Sequence, residues 1–158
     1  MASNGSGSGI AFSVLGMPVA QGSKKVIRGH LIEMADERLR SWRQDVAVTA
    51  QQTMQGRPWQ GPVMVVLNFY LPRPKAHYGT GRNAEKLKPA APAYPSTHPD
   101  IDKLCRAVLD AMTGIVFHDD RQVVMIQAGK FYGQPGMECE VAPTYARAAQ
   151  SEGVSPTP

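Results

Sequence analysis

Between Pro62 and Pro72 the chain reads VMVVLNFYL, and this run constrains the fold more than any other segment. In an extended strand, Val63, Val65, Leu67 and Phe69 point to one side, and Met64, Val66 and Tyr70 to the other. A strand apolar on both faces is shielded on both, so residues 63–71 are predicted to be central in a sheet.

The flanking segments supply its neighbours. Ile10 to Leu15 alternates apolar and small residues and reads as a first strand, broken by Pro18, Gly22 and Ser23. A short hairpin follows, with Val26-Ile27 against Leu31-Ile32 across Gly29-His30. Asp36 is placed to cap a helix that starts near Glu37. Leu39, Trp42, Val46, Ala50 and Thr53 recur there at helical spacing, and Gly56 ends the run. Polar residues fill its other faces, so this helix packs on something flat, with Trp42 in the core or at a dimer interface. A second stripe, Ile101, Leu104, Cys105, Val108, Leu109 and Met112, marks another amphipathic helix, with Gly114 at its C-terminal cap. Gln122 to Tyr132 reads as a long strand, and Met137, Cys139 and Val141 alternate with Glu138 and Glu140 as a half-exposed last strand. The Gly133–Gly136 turn predicts that these two form a hairpin. The fold class is α+β: one small domain over residues 10–142, with a mixed sheet and two main helices.

A length of 158 residues suits one domain, and 42% hydrophobic residues suffice for a core. Residues 1–9 read as a flexible Ser/Gly-rich leader without the basic and apolar parts of a secretory signal, and 143–158 as a frayed tail. No apolar run is long enough to span a bilayer, which points to a cytoplasmic protein with no membrane partner. Cys105 and Cys139 lie inside apolar patterns without metal-type spacing and read as reduced core thiols. Lys and Arg outnumber Asp and Glu by 17 to 13, an excess that permits an anionic partner without identifying one.

Residues 72–97 change character. Five prolines interrupt regular structure, and Arg73, Lys75, Arg82, Lys86 and Lys88 face a single acid, Glu85. This loop reads either as a solvated, disordered insertion or as an arm that lies along a phosphate backbone and orders on contact. Lys24, Lys25 and Arg28 carry the same two readings, a solvated face or phosphate contacts. His77 and Tyr78 are candidates for stacking on unpaired bases.

Five of the thirteen acids fall within 21 residues, and all five are aspartates: Asp100, Asp102, Asp110, Asp119 and Asp120. Asp100 and Asp102 flank the start of the second helix; Asp119 and Asp120 precede the next strand. That helix rises about 18 Å, and the link Gly114–His118, fully extended, spans about 17 Å. The link is just long enough to return Asp119 and Asp120 to the helix start. If the carboxylates converge, their mutual repulsion calls for a cation, and all-oxygen ligands suit magnesium or manganese. The alternatives are local: Asp100 as a helix cap, Asp102 as an acid favoured by the helix dipole, and Asp119-Asp120 as turn formers. Asp102, Arg106 and Asp110 are spaced four apart and read as a surface charge ladder, which makes Asp110 a structural residue. His118 in the adjoining turn is a candidate base or ligand, though a lone turn histidine is more often neither.

Pro99-Asp100-Ile101-Asp102-Lys103-Leu104, then Arg106 to Ala111, Gly114, and Asp119-Asp120-Arg121-Gln122-Val123 resemble the RusA family of Holliday-junction resolvases. Gln21-Gly22-Ser23-Lys24-Lys25 is similar to that family's opening segment. The resemblance implies a small homodimeric, magnesium-dependent endonuclease (manganese an alternative ion) that nicks two strands of a four-way DNA junction in recombination, repair or phage DNA processing. It implies catalytic, metal-holding Asp100, Asp102 and Asp120; Asp119, their neighbour, ranks below them as a further candidate metal ligand. Lys103 stands where the family commonly has asparagine, and Arg106 where a lysine is expected. Arginine keeps the positive charge but does not serve as a proton donor near neutral pH. Lys103 and Arg106 are therefore expected to balance charge near the scissile phosphate. Two further readings stay open: a non-catalytic dimer that binds branched DNA, and a metal-dependent nuclease for another branched or single-stranded target.

Overall fold

The computed structural model describes residues 8–22, 25–27, 30–32 and 37–144, with 25–27 and 30–32 described as backbone. In chain order the elements are β1 (Ile10–Leu15), β2 (Lys25–Ile27), β3 (His30–Ile32), α1 (Glu37–Thr53), β4 (Val63–Leu71), α2 (Ile101–Met112), β5 (Val123–Tyr132) and β6 (Gly136–Pro143). Strands β1, β6, β4 and β5 form one sheet in that order, and β2 pairs with β3 as the expected hairpin. Asp36, Lys24 and Arg28 lie outside the described residues, as does the side chain of Lys25.

Strand β4 occupies an interior position, as its two apolar faces require. Val63, Val65, Leu67, Phe69 and Leu71 are buried, and Met64, Val66, Asn68 and Tyr70 are half-buried. The fully buried side joins Leu39, Trp42, Val46 and Ala50 of α1 and Leu104, Ala107, Val108 and Met112 of α2 in one core. Both helices therefore cover a single face of the sheet. Full burial of Phe69 or Leu67 stabilises the fold by about 1.5–3 kcal/mol each.

Strand β5 runs parallel to β4, and β6 runs antiparallel to it on the other side. The expected β5–β6 hairpin is thus not formed: β4 lies between the two strands. With β4 between them, each edge of the buried strand has its backbone groups paired, one by β5 and the other by β6. A parallel β4–β5 pair cannot be closed by a tight turn and needs a crossover, which α2 provides. The link Gly133–Pro135 then passes over the end of β4, where the Gly133 N–H donates to Leu71 O at 2.9 Å.

Residues 72–97 are neither a strand nor a helix, yet they are folded. Turns of 3-10 helix occupy Lys75–His77 and Gly81–Asn83, and Tyr78 bridges Leu87. The segment sits on the far end of β5: Arg73 lies 4.0 Å over the Tyr132 ring, His77 meets the same ring edge-on, and Tyr94 packs against Phe131. The expectation of a disordered insertion is replaced by a compact excursion held by aromatic contacts.

Candidate active site along helix α2

Helix α2 carries the acids on its outer stripe because Leu104, Ala107, Val108, Ala111 and Met112 occupy the buried one. Its direction is fixed at both ends. At the start, the Lys130 ammonium from the far part of β5 donates to Pro99 O at 2.9 Å. At the finish, Gly114 adopts a positive φ of 82° and the chain folds back on itself, with Ile115 N and Val116 N donating to Met112 O and Gly114 N to Phe117 O. The link 114–118 is therefore coiled into turns and does not extend back along the helix. Asp119 and Asp120 stay at the C-terminal end of α2, beside the start of β4 and β5.

A groove of about 510 Å³ runs between α2 and β5, lined by Asp102, Cys105, Arg106, Leu109, Asp110 and Asp120 among others. Asp102 sits at one end, Asp110 and Asp120 at the other. Among the described residues, no three His, Cys, Asp or Glu side chains approach closely enough to hold an ion. The donor chemistry fits a hard divalent cation; the spacing within a single chain does not gather it.

Each aspartate has its own surroundings. Asp100 occupies the N-cap position of α2, but its side chain makes no capping hydrogen bond. Its carboxylate instead meets Lys103 Nζ at 2.9 Å and His98 Nδ1 at 3.0 Å. The Lys103 ammonium, with a smaller share from His98, holds the Asp100 carboxyl below its ordinary value, and Asp100 in turn raises Lys103. Asp119 is a cap: it accepts from Arg121 N at 3.0 Å and pairs with the Arg121 guanidinium at 3.3 Å. Asp120, its neighbour, is exposed, and its carboxylate makes no hydrogen bond or ion pair among the described residues.

The charge ladder Asp102–Arg106–Asp110 is absent. Asp110 accepts from Gln21 Nε2 at 2.7 Å, and Gln21 N donates to Lys103 O, so the segment after β1 is fastened to α2. Arg106 has no ion pair among the described residues and keeps its guanidinium free in the groove. Asp110 is thus held by Gln21 rather than by Arg106, and it lines the groove together with Asp102 and Asp120.

The basic loop divides its charges. Arg73 and Lys88 act within the loop, donating to Pro92 O and Ala76 O at 2.8 Å. Lys75, Arg82 and Lys86 are exposed and make no such bond. Tyr78 lies in a separate hollow with Lys75 and Glu85, His77 is against Tyr132, and His118 does not line the groove. Trp42 is 3% exposed, in the core. Two positioning side chains escaped sequence reasoning. Gln122 donates to Trp59 O and Gly61 O and accepts from Asp119 N, which fixes the Asp119-Asp120 turn. Lys130 donates to Thr97 O and Pro99 O. The signal for Lys130 was a lone charge on the strand face shared with Ile126 and Ala128.

The family profile described as endodeoxyribonuclease RusA matches residues 16–142. The chain belongs to the RusA endodeoxyribonuclease family. The match takes in every element from α1 to β5 and all five aspartates. A Bacillus subtilis (strain 168) relative, named only as uncharacterized protein YqaN, is 34% identical over 127 residues, which cover 79% of this chain and 89% of its own. No helix among the described residues is long and apolar enough to cross a membrane.

Proposed function

We propose that this RusA-family nuclease is a divalent-metal-dependent, homodimeric resolvase of four-way DNA junctions. The observation that carries the reading is a single groove in a RusA-family chain that is lined by Asp102, Asp120 and an unpaired Arg106. Magnesium, with manganese as a substitute, would be held by Asp100, Asp102 and Asp120, and Asp119 is the weakest ligand candidate because its carboxylate already caps a turn. Such an ion supplies Lewis acidity toward a phosphoryl oxygen.

The separation of the acids along α2 supports an assembly across two chains. Strand β5 is an edge strand, and Val124, Met125 and Ile126 are 61%, 46% and 45% exposed. A long apolar edge is a template for pairing with another strand. Antiparallel pairing of two β5 edges about a two-fold axis at Met125 would set Asp120 of the partner subunit opposite Lys130, close to the segment that carries Asp100. Asp100 and Asp102 of one chain would then share a site with Asp120 of the partner subunit. A two-fold dimer with two such sites suits a junction that presents two equivalent strands.

The chain's own cations complete the reading. Arg106 balances the charge that builds on the phosphate and donates hydrogen bonds, without giving up a proton near neutral pH. Lys103 pairs with Asp100 and would balance charge near the scissile phosphate. Lys75, Arg82 and Lys86 contact the backbone of the junction arms, as do Lys24, Lys25 and Arg28, whereas Arg73 and Lys88 shape the loop that presents the others.

Asp102→Asn tests the proposal. It is expected to abolish nicking of a synthetic four-way junction in magnesium while band-shift binding persists; normal cutting would overturn the metal site. The non-catalytic alternative draws support from the separation of the carboxylates among the described residues of one chain. It expects the unmodified protein to cut no branched or single-stranded DNA in magnesium or manganese, and a panel of junction, flap, duplex and single-stranded substrates separates the three readings.

A further inference from the structure

Lys130 lies inside β5, opposite Phe69 of β4. Side chains alternate along a strand, so Lys130 shares its face with Ala128 and Ile126, both of which line the groove along α2. No carboxylate pairs with it among the described residues. Its ammonium instead donates to two main-chain carbonyls, Thr97 O at 2.8 Å and Pro99 O at 2.9 Å. The second carbonyl belongs to the peptide bond that leads into Asp100. The site is half-exposed, so water alone would satisfy those carbonyls; a lysine there does something water does not, which is to tie the segment to the sheet.

We infer that Lys130 is a positioning residue for Asp100. It fixes the Pro99–Asp100 peptide plane against β5, and with it the direction in which the Asp100 carboxylate leaves the chain. Two further features agree. The Asp100 side chain is not used as a helix cap, so the helix start does not orient it. Its other contacts, Lys103 and His98, hold the carboxylate but come from the same short stretch of chain, whereas Lys130 ties the Pro99–Asp100 peptide to β5. The functional weight of this assignment rests on the reading that Asp100 is a metal ligand; the clamp itself does not.

The test uses the full-length protein, Lys130→Met and Lys130→Arg, with two readouts taken without DNA. Hydrogen exchange is followed in peptides covering residues 97–104, and Mn2+ binding is measured by electron paramagnetic resonance. Lys130→Met is expected to speed exchange in that stretch and to weaken Mn2+ binding by about tenfold or more, the usual scale for a partner of a metal ligand. Lys130→Arg, whose guanidinium still donates to both carbonyls, is expected to restore both. Unchanged exchange in Lys130→Met would overturn the clamp. Faster exchange with unchanged Mn2+ affinity, or a lower melting temperature with both readouts unchanged, would overturn the positioning role. Unmodified protein that neither binds Mn2+ nor nicks DNA would overturn the metal-nuclease reading instead, and the exchange data would still decide whether Lys130 orders the segment.

Discussion

At the scale of single residues, the aspartates differ by what their neighbours leave them free to do. Asp119 and Asp120 are adjacent and chemically identical, yet one caps a turn and the other faces the groove unpaired. Composition and spacing picked out both, but which of them is engaged depends on the turn that Gln122 builds. Three hydrogen bonds converge on that glutamine, two of them from its own amide nitrogen. Gln122→Ala is expected to cost about 2 kcal/mol of stability, read as a lower urea midpoint with an unchanged slope. Glu at the same position is not expected to rescue, because a carboxylate does not donate to Trp59 O and Gly61 O. The thiols give a second prediction. Burial is the main cause that raises Cys105 to about 11 and Cys139 to about 12 from an ordinary 9.0. Both thiols stay protonated at neutral pH, so a thiol reagent at pH 8 is expected to label them slowly in the folded protein and rapidly in denaturant. The sign of the linkage follows: their contribution to stability is complete below about pH 9 and falls as the pH climbs through the raised values.

Among the elements, periodicity was a sound guide wherever a face is buried. The double apolarity of residues 63–71 led to an interior strand, and the stripe from Ile101 to Met112 led to a helix with its acids outside. Pairing partners were less legible. A glycine-bounded turn between two strands ordinarily means a hairpin, and here β4 intervenes, because the choice of neighbour is made by the sheet as a whole rather than by the turn. The return of Asp119-Asp120 to the helix start failed for a related reason: an extended link had the reach, but backbone hydrogen bonds in 112–117 favour a coiled one. The proline-rich loop could not be read from periodicity at all, since aromatic and cation–π contacts to Phe131 and Tyr132 set its course. Strand β5 carries the prediction at this scale. Met125→Lys places a charge in the middle of its exposed apolar run. It is expected to shift the protein toward monomer in sedimentation velocity with an unchanged circular dichroism spectrum, and to lower junction nicking in parallel. A variant that stays dimeric would move the interface elsewhere.

For the molecule as a whole, the family and the candidate residues were legible in the stretch 99–123, whereas their separation along α2 was not. The described residues of one chain distribute their carboxylates along a helix about 18 Å long, and the proposed compact site would draw on a second chain. Mixing two inactive variants tests this most directly. In a heterodimer of Asp102→Asn with Asp120→Asn, a shared site leaves one centre with Asp102 and Asp120 both intact and the other with both replaced. The account expects each variant alone to be inactive and the mixture, after subunit exchange, to nick one strand of a four-way junction in magnesium. A mixture that exchanges subunits and still cuts nothing, while the unmodified protein cuts normally, would contradict it.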